Sequence, residues 1–180
     1  TESYETLFGD EEVEKFMEMT GVRASRRTST YQTCSDLGFR AAQELLEKKG
    51  VNPGEIGALI FSSHSPDYRR PSTAFVLQYR LGIPKEAICY DISLGCSSLV
   101  VGIQTVASIM STGDIKKALL FVGDTAGKSV YPSDRSSAML FGEAGAVMLL
   151  EKTGDERDEI KALVRSDGSG FKYMIVPGGG

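Results

Sequence analysis

Cys96 is the residue whose type and setting are best suited to do chemistry. The segment Tyr90-Asp91-Ile92-Ser93-Leu94-Gly95-Cys96-Ser97-Ser98-Leu99-Val100-Val101-Gly102-Ile103 reads as a short apolar strand, a tight turn through Leu94 and Gly95, and an apolar helix. Cys96 stands at or beside the first turn of that helix. Backbone N–H groups there have no helical partner, and the helix dipole places partial positive charge on them. A thiolate at such a place is stabilised, so its pKa is expected to fall and its nucleophilicity at neutral pH to rise. Context alone leaves a second reading open, because free cysteine is among the most buried residue types and an inert core cysteine would sit in the same pattern. The other two cysteines, Cys34 and Cys89, are expected in a helix first turn and on a buried strand. The three show no C-x-x-C spacing, which argues against a metal site or a disulfide framework and points to a reducing cytoplasm.

The elements that would position this cysteine alternate. Asp10 is expected to cap a helix running to about Thr20, stopped by Gly21, with Val13, Phe16 and Met17 on its apolar face. Thr33-Cys34-Ser35-Asp36 resembles a capping box and opens a second helix, with Leu37, Ala41 and Leu45 on one face and Gly50 at its end. Ile56–Ser62 reads as a buried strand, and Ser63 to Arg70 as a polar loop. Pro71 then starts a helix with Phe75, Val76 and Tyr79 at helical spacing. Ala87 to Ile92 is the second strand. The helix after Cys96 runs to about Thr112 and is apolar on nearly all sides, which predicts burial in the centre of a layered structure. Lys117 to Gly123, Ala144 to Glu151 and Glu159 to Ser166 read as three further strands, with a loop from Asp124 to Ser137 between the first two. This order predicts an α/β layered fold with a mixed sheet.

Composition narrows the function classes. The chain has 180 residues, 41% of them apolar, and a net charge of −4, as an ordinary globular domain with a real core would. It contains no apolar run long enough to span a membrane, and no leader is visible, although the first residue is not Met. The basic residues cluster only at Arg23-Ala24-Ser25-Arg26-Arg27, which argues against nucleic acid as the main partner.

Seven motifs in collinear order resemble the N-terminal half of a β-ketoacyl-acyl carrier protein synthase III, a condensing enzyme of the thiolase superfamily. They are Gly21-Val22-Arg23, Ser35-Asp36-Leu37-Gly38, Pro71-Ser72, the segment around Cys96, Pro132-Ser133-Asp134-Arg135, Phe141-Gly142-Glu143-Ala144-Gly145-Ala146, and Ser166-Asp167-Gly168-Ser169. The resemblance implies one α-β-α half of a five-layer αβαβα thiolase-like fold, usually a homodimer. Residues 1–180 would be that N-terminal half-domain, without its first strand and without the C-terminal half; the Pro177-Gly178-Gly179-Gly180 end reads as mid-loop. The resemblance makes Cys96 the acyl-carrying cysteine, Phe141 a residue that lines the site and shields decarboxylation, and Arg135 a residue at the coenzyme A entrance. It implies acyl-CoA and malonyl-acyl carrier protein as substrates, no cofactor, initiation of fatty acid biosynthesis and a cytoplasmic location.

The bland readings stand beside these. Arg135 can simply pair with Asp134 or another acid, Phe141 can be a core aromatic, and Gly142 and Gly145 suit tight turns and close packing. The basic residues, with Arg69 and Arg70, can dock an acidic carrier protein or form a solvated face. The sequence also departs from the family. The catalytic His and Asn of the resemblance belong to the C-terminal half. The single histidine, His64, is expected to face solvent or an interface rather than to catalyse. The chain has no Trp, with Lys15 and Met19 in the region where some members clamp the adenine, and Arg70 replaces an aromatic residue before Pro71-Ser72. Half of a synthase is expected to condense nothing alone, and its apolar face toward the second half to drive self-association. The alternatives are another thiolase-fold acyltransferase (a hydroxymethylglutaryl-CoA synthase, a type III polyketide synthase or a thiolase) and a non-catalytic binding subunit.

Overall fold

The computed structural model of the chain describes residues 4–155 and 160–178. The elements, in order, are α1 (Tyr4–Phe8), α2 (Asp10–Thr20), α3 (Cys34–Lys49), β1 (Ile56–Ser62), α4 (Thr73–Leu81), β2 (Ile88–Ile92), α5 (Ser98–Thr112), β3 (Lys117–Asp124) and β4 (Ala144–Glu151). The four strands form one mixed sheet in the order β2-β1-β3-β4. β1 pairs in parallel with both β2 and β3, and β3 pairs antiparallel with β4.

This order explains where the helices lie. The chain steps outward from β1 to β2 through α4, then back past β1 to β3 through α5. Right-handed crossovers in opposite directions need opposite faces of the sheet. α4 therefore joins α3 over Leu59, Phe61, Leu119 and Phe121, and α5 covers Ala58, Ile60, Ala118 and Leu120 on the other side. The predicted α-β-α layering and mixed sheet are thus present.

Several helices turn a different face to the core than the sequence predicts. The Thr33–Asp36 capping box is formed, with the Thr33 N–H donating to the Asp36 carboxylate at 2.9 Å. Yet the buried stripe of α3 is Cys34, Gly38, Ala42 and Leu46, and the predicted Leu37, Ala41 and Leu45 lie half-buried beside it. The reason is steric. A Cβ on Gly38 would stand 2.8 Å from the Phe121 ring, and one on Gly145 2.8 Å from the Leu37 Cβ, so the small-residue face alone lets α3 approach the sheet so closely. In α4 the buried residues are Thr73, Ala74, Leu77 and Leu81, whereas Phe75 and Tyr79 face outward. The helix starts at Thr73 rather than Pro71, because the Asp91 carboxylate on β2 accepts the Thr73 and Ala74 N–H groups at 2.7 and 2.8 Å. Gly9, not Asp10, occupies the cap position of α2; Asp10 is its first helical residue.

α5 is buried along Ser98, Gly102, Val106 and Met110 only, and Leu99 and Val100 are exposed. The all-round burial predicted for it is therefore not present among the described residues, where its buried side faces the sheet. The fifth predicted strand is also not formed over residues 160–166, and residue 159 lies outside the described residues. Ile160, Leu163 and Val164 are all exposed there, so the alternation gains no buried face that would fix a register. Among the described residues, no helix is long and apolar enough to cross a membrane.

Candidate active site

The carboxyl ends of β1, β2 and β3 lie together at one edge, with the start of β4 beside them: Ser62 is in register with Ile92 and Val122, and Asp124 with Ala144. In parallel α/β sheets this is the edge where ligands bind. Here it carries Cys96. The turn after β2 is held by the Leu94 N–H donating to the Ile92 carbonyl at 3.1 Å and by Ser98 Oγ donating to the Leu94 carbonyl at 2.6 Å. The Ser98 N–H donates to the Gly95 carbonyl at 2.9 Å, and the Val101 N–H to the Ser97 carbonyl at 3.1 Å. Ser97 is the cap residue of α5, so Cys96 sits one position ahead of it, beside the first turn as predicted. The first-turn N–H groups of Leu99 and Val100 have no carbonyl one turn earlier within the helix.

Cys96 is exposed and lines a cleft of about 660 Å³ together with Val22, Arg26, Asp124, Leu140 and Glu143. A larger hollow of about 890 Å³ lies at the far end of α5 against Lys152 and Thr153. The first cleft is the one that joins an exposed thiol to a helix N-terminus. The other two cysteines differ sharply. Cys34 is 2% exposed, and burial pushes its thiol up to about 12 despite a hydrogen bond with Ser63. Cys89 is half-buried, and burial raises its pKa too.

Two carboxylates that the sequence reading does not single out shape the cleft. Asp124 closes β3, and one of its oxygens accepts four donors: Ser63 Oγ at 2.9 Å, the His64 N–H at 2.8 Å, the Ser65 N–H at 3.0 Å and Ser65 Oγ at 2.9 Å. It ties the loop after β1 to the end of β3. Glu143 is buried and ties the 22–28 segment to the start of β4. Its carboxylate accepts the Thr28 N–H at 2.6 Å, bonds the Thr28 hydroxyl, and pairs with Arg27 at 3.6 Å; its own N–H donates to the Arg26 carbonyl at 3.0 Å. Burial works to raise its pKa, but the Thr28 donors and the Arg27 and Lys128 charges hold it below the usual value.

The other predicted site residues fall at different places. Phe141 is 36% exposed and sits in sequence between Leu140 and Gly142, which line the cleft. Arg135 donates to the Glu12 carboxylate on α2 at 2.7 Å, so its partner is an acid other than Asp134. His64 is exposed, but its ring lies against Gly95: a Cβ on residue 95 would stand 2.7 Å from its Nδ1. Among the described residues, no cluster of His, Cys, Asp and Glu of the kind that holds a metal ion is present.

Comparison with known proteins bears on the same edge. The sequence pattern of the 3-oxoacyl-[acyl-carrier-protein (ACP)] synthase III family matches residues 90–168, which take in Cys96 and the cleft from β2 to β4. The chain is 32% identical over 166 residues to the beta-ketoacyl-[acyl-carrier-protein] synthase III of Koribacter versatilis, covering 91% of this chain and 50% of that protein. It is 35% identical to the protein of the same name from Clostridium acetobutylicum, covering 88% of this chain and 48% of that one. The chain thus spans about half the length of the curated relatives it matches. A 3-oxoacyl-(acyl-carrier protein) synthase structure from Burkholderia xenovorans superposes with a TM-score of 0.91 at 36% identity, over 98% of this chain and 50% of that one.

Proposed function

We propose that the chain is part of a β-ketoacyl-acyl carrier protein synthase III, the family whose pattern matches residues 90–168, and that Cys96 carries the acyl group of its decarboxylative condensation. The observation that carries this reading is the exposed thiol beside the N-terminus of α5, open to the cleft at the carboxyl edge of the sheet. The Cys96 thiolate attacks the carbonyl carbon of an acyl-CoA. A new C–S bond forms, the bond to the coenzyme A sulfur breaks, and coenzyme A leaves with the proton. Backbone N–H groups at the start of α5, that of Cys96 among them, suit the tetrahedral oxyanion. In the second half-reaction malonyl-acyl carrier protein loses carbon dioxide. The resulting carbanion attacks the Cys96 thioester, forms the C–C bond and releases the thiolate.

In this reading Phe141 shields the decarboxylation and Arg135 meets coenzyme A at the entrance, exchanging Glu12 for phosphate. The exchange costs little, since exposed ion pairs contribute about 0–1 kcal/mol. The residues described here act with a catalytic His and Asn from a C-terminal half, which would pack on the outer face of α5 where Leu99 and Val100 are exposed. The working enzyme would be a cytoplasmic homodimer that initiates fatty acid synthesis with acyl-CoA and acyl carrier protein, and it calls for no cofactor. A non-catalytic binding subunit would have no use for an exposed thiol at this place. The test is exposure of the intact protein, with its C-terminal half, to a series of acyl-CoA thioesters followed by peptide mapping. Acylation of the Cys96 peptide is expected, and Cys96→Ala should abolish it. Acyl loading retained in that variant would sink the assignment.

A further inference from the structure

We propose that His64 is a positioning residue for Cys96: its imidazole, seated on Gly95 from a loop whose main chain Asp124 ties to β3, holds the turn that presents the thiol. As a statement about catalysis this rests on the reading of Cys96 given above; as a statement about the thiol it stands on geometry. Nδ1 and Cε1 of His64 lie 2.7 and 3.0 Å from the point where a Cβ of residue 95 would be. The ring therefore occupies the space that only a glycine leaves free. Glycine is also the residue with the most backbone freedom, so the turn before Cys96 is intrinsically the loosest part of the site. A ring packed on it removes that freedom.

The main chain that carries the ring is fixed on both sides. The His64 N–H donates to Asp124 Oδ1 at 2.8 Å, and the flanking Ser63 and Ser65 hydroxyls donate to the same oxygen at 2.9 Å each. The Thr125 N–H donates to Ser65 Oγ at 2.7 Å, locking the loop to β3 a second time. The Ser63 N–H donates at 3.1 Å to the Ile92 carbonyl, the same oxygen that accepts the Leu94 N–H of the cysteine turn. Strand β3, the loop after β1 and the turn after β2 thus form one connected unit, with His64 as its contact to Gly95. A misplacement of about 1 Å at a reacting group can cost on the order of a hundredfold in rate, so this support matters to the thiol.

The experiment measures the rate of Cys96 alkylation by iodoacetamide, read by peptide mapping, with Cys34 and Cys89 as internal controls of folding. In His64→Ala the Cys96 rate should change by about tenfold or more, while His64→Gln, which keeps a planar polar side chain, should stay within about threefold of the parent. Gly95→Ala alone should perturb Cys96 because its methyl meets the ring. The double variant His64→Ala/Gly95→Ala should recover toward the parent, a coupling that unrelated defects would not show. Equal Cys96 rates in the parent and His64→Ala overturn the proposal, as do single-variant effects that multiply without recovery. If Gly95→Ala fails to fold, the contrast between His64→Ala and His64→Gln still decides. Acyl loading of the intact protein, with its C-terminal half, is followed in parallel with a series of acyl-CoA thioesters. Absence of loading with the alkylation contrast intact ends the synthase reading and supports the positioning role; loading without the contrast does the reverse.

Discussion

On one face of the sheet α3 and α4 bury Leu46, Leu59, Phe61, Leu77, Leu119 and Phe121 almost completely; on the other, α5 is the one helix among the described residues over Ala58, Ile60, Ala118 and Leu120, and it leaves Leu99 and Val100 in solvent. Each face has a cysteine at the start of a helix. Cys34, in the first turn of α3, lies under the two-helix layer and its thiol is pushed up to about 12 by burial. Cys96, before α5, opens onto the cleft. The same local device, a sulfur at a helix N-terminus, is inert in one place and available in the other. Coverage by neighbouring elements decides, because desolvation penalises the thiolate more than the helix end favours it.

The contrast can be broken most severely on the closed face. Phe121→Ala should destabilise the chain by about 3–5 kcal/mol, since it empties a close-packed site under α3. Denaturant unfolding measures it. A smaller effect is expected where the two ends of the site are clamped. Glu143→Gln should cost about 1–3 kcal/mol at neutral pH by removing the charged acceptor of the Thr28 and Arg27 donors. Because the folded protein holds this carboxyl below its ordinary value, the stabilisation is complete above about pH 4.3 and is lost as the pH falls through the folded-state value. The gap between parent and variant should therefore close in acid; a gap that widens would contradict the assigned direction. The smallest effect belongs to the open face. Val100→Ala, 56% exposed on α5, should change stability by no more than about 0.5 kcal/mol. A cost like that of Phe121→Ala would show that α5 is covered in the folded chain.

Much of this could be read from the sequence. The bounds of β1 and β4 and the ends of α2 and α3 follow from local apolar runs, the Thr33–Asp36 box and the glycines at 21 and 50. The strand-turn-helix around Cys96 is likewise local, so the setting of this candidate nucleophile and the family resemblance are legible together. What the sequence hides is which face each helix turns inward and which distant group completes a loop. Gly38 and Gly145 decide the face of α3 through close approach, which side-chain periodicity does not weigh. Asp91 caps α4 from a strand 18 residues away, and Glu143 holds Thr28 from 115 residues away. His64 against Gly95 is of the same kind: nothing near either residue in the sequence announces the other.

The most direct test of the account is the order in which the three thiols of the native protein react with limiting iodoacetamide, read by peptide mapping. Cys96 should be alkylated first, Cys89 later and Cys34 last, after unfolding. Alkylation of Cys89 or Cys34 ahead of Cys96 would contradict the claim that the open face of the sheet carries the reactive sulfur.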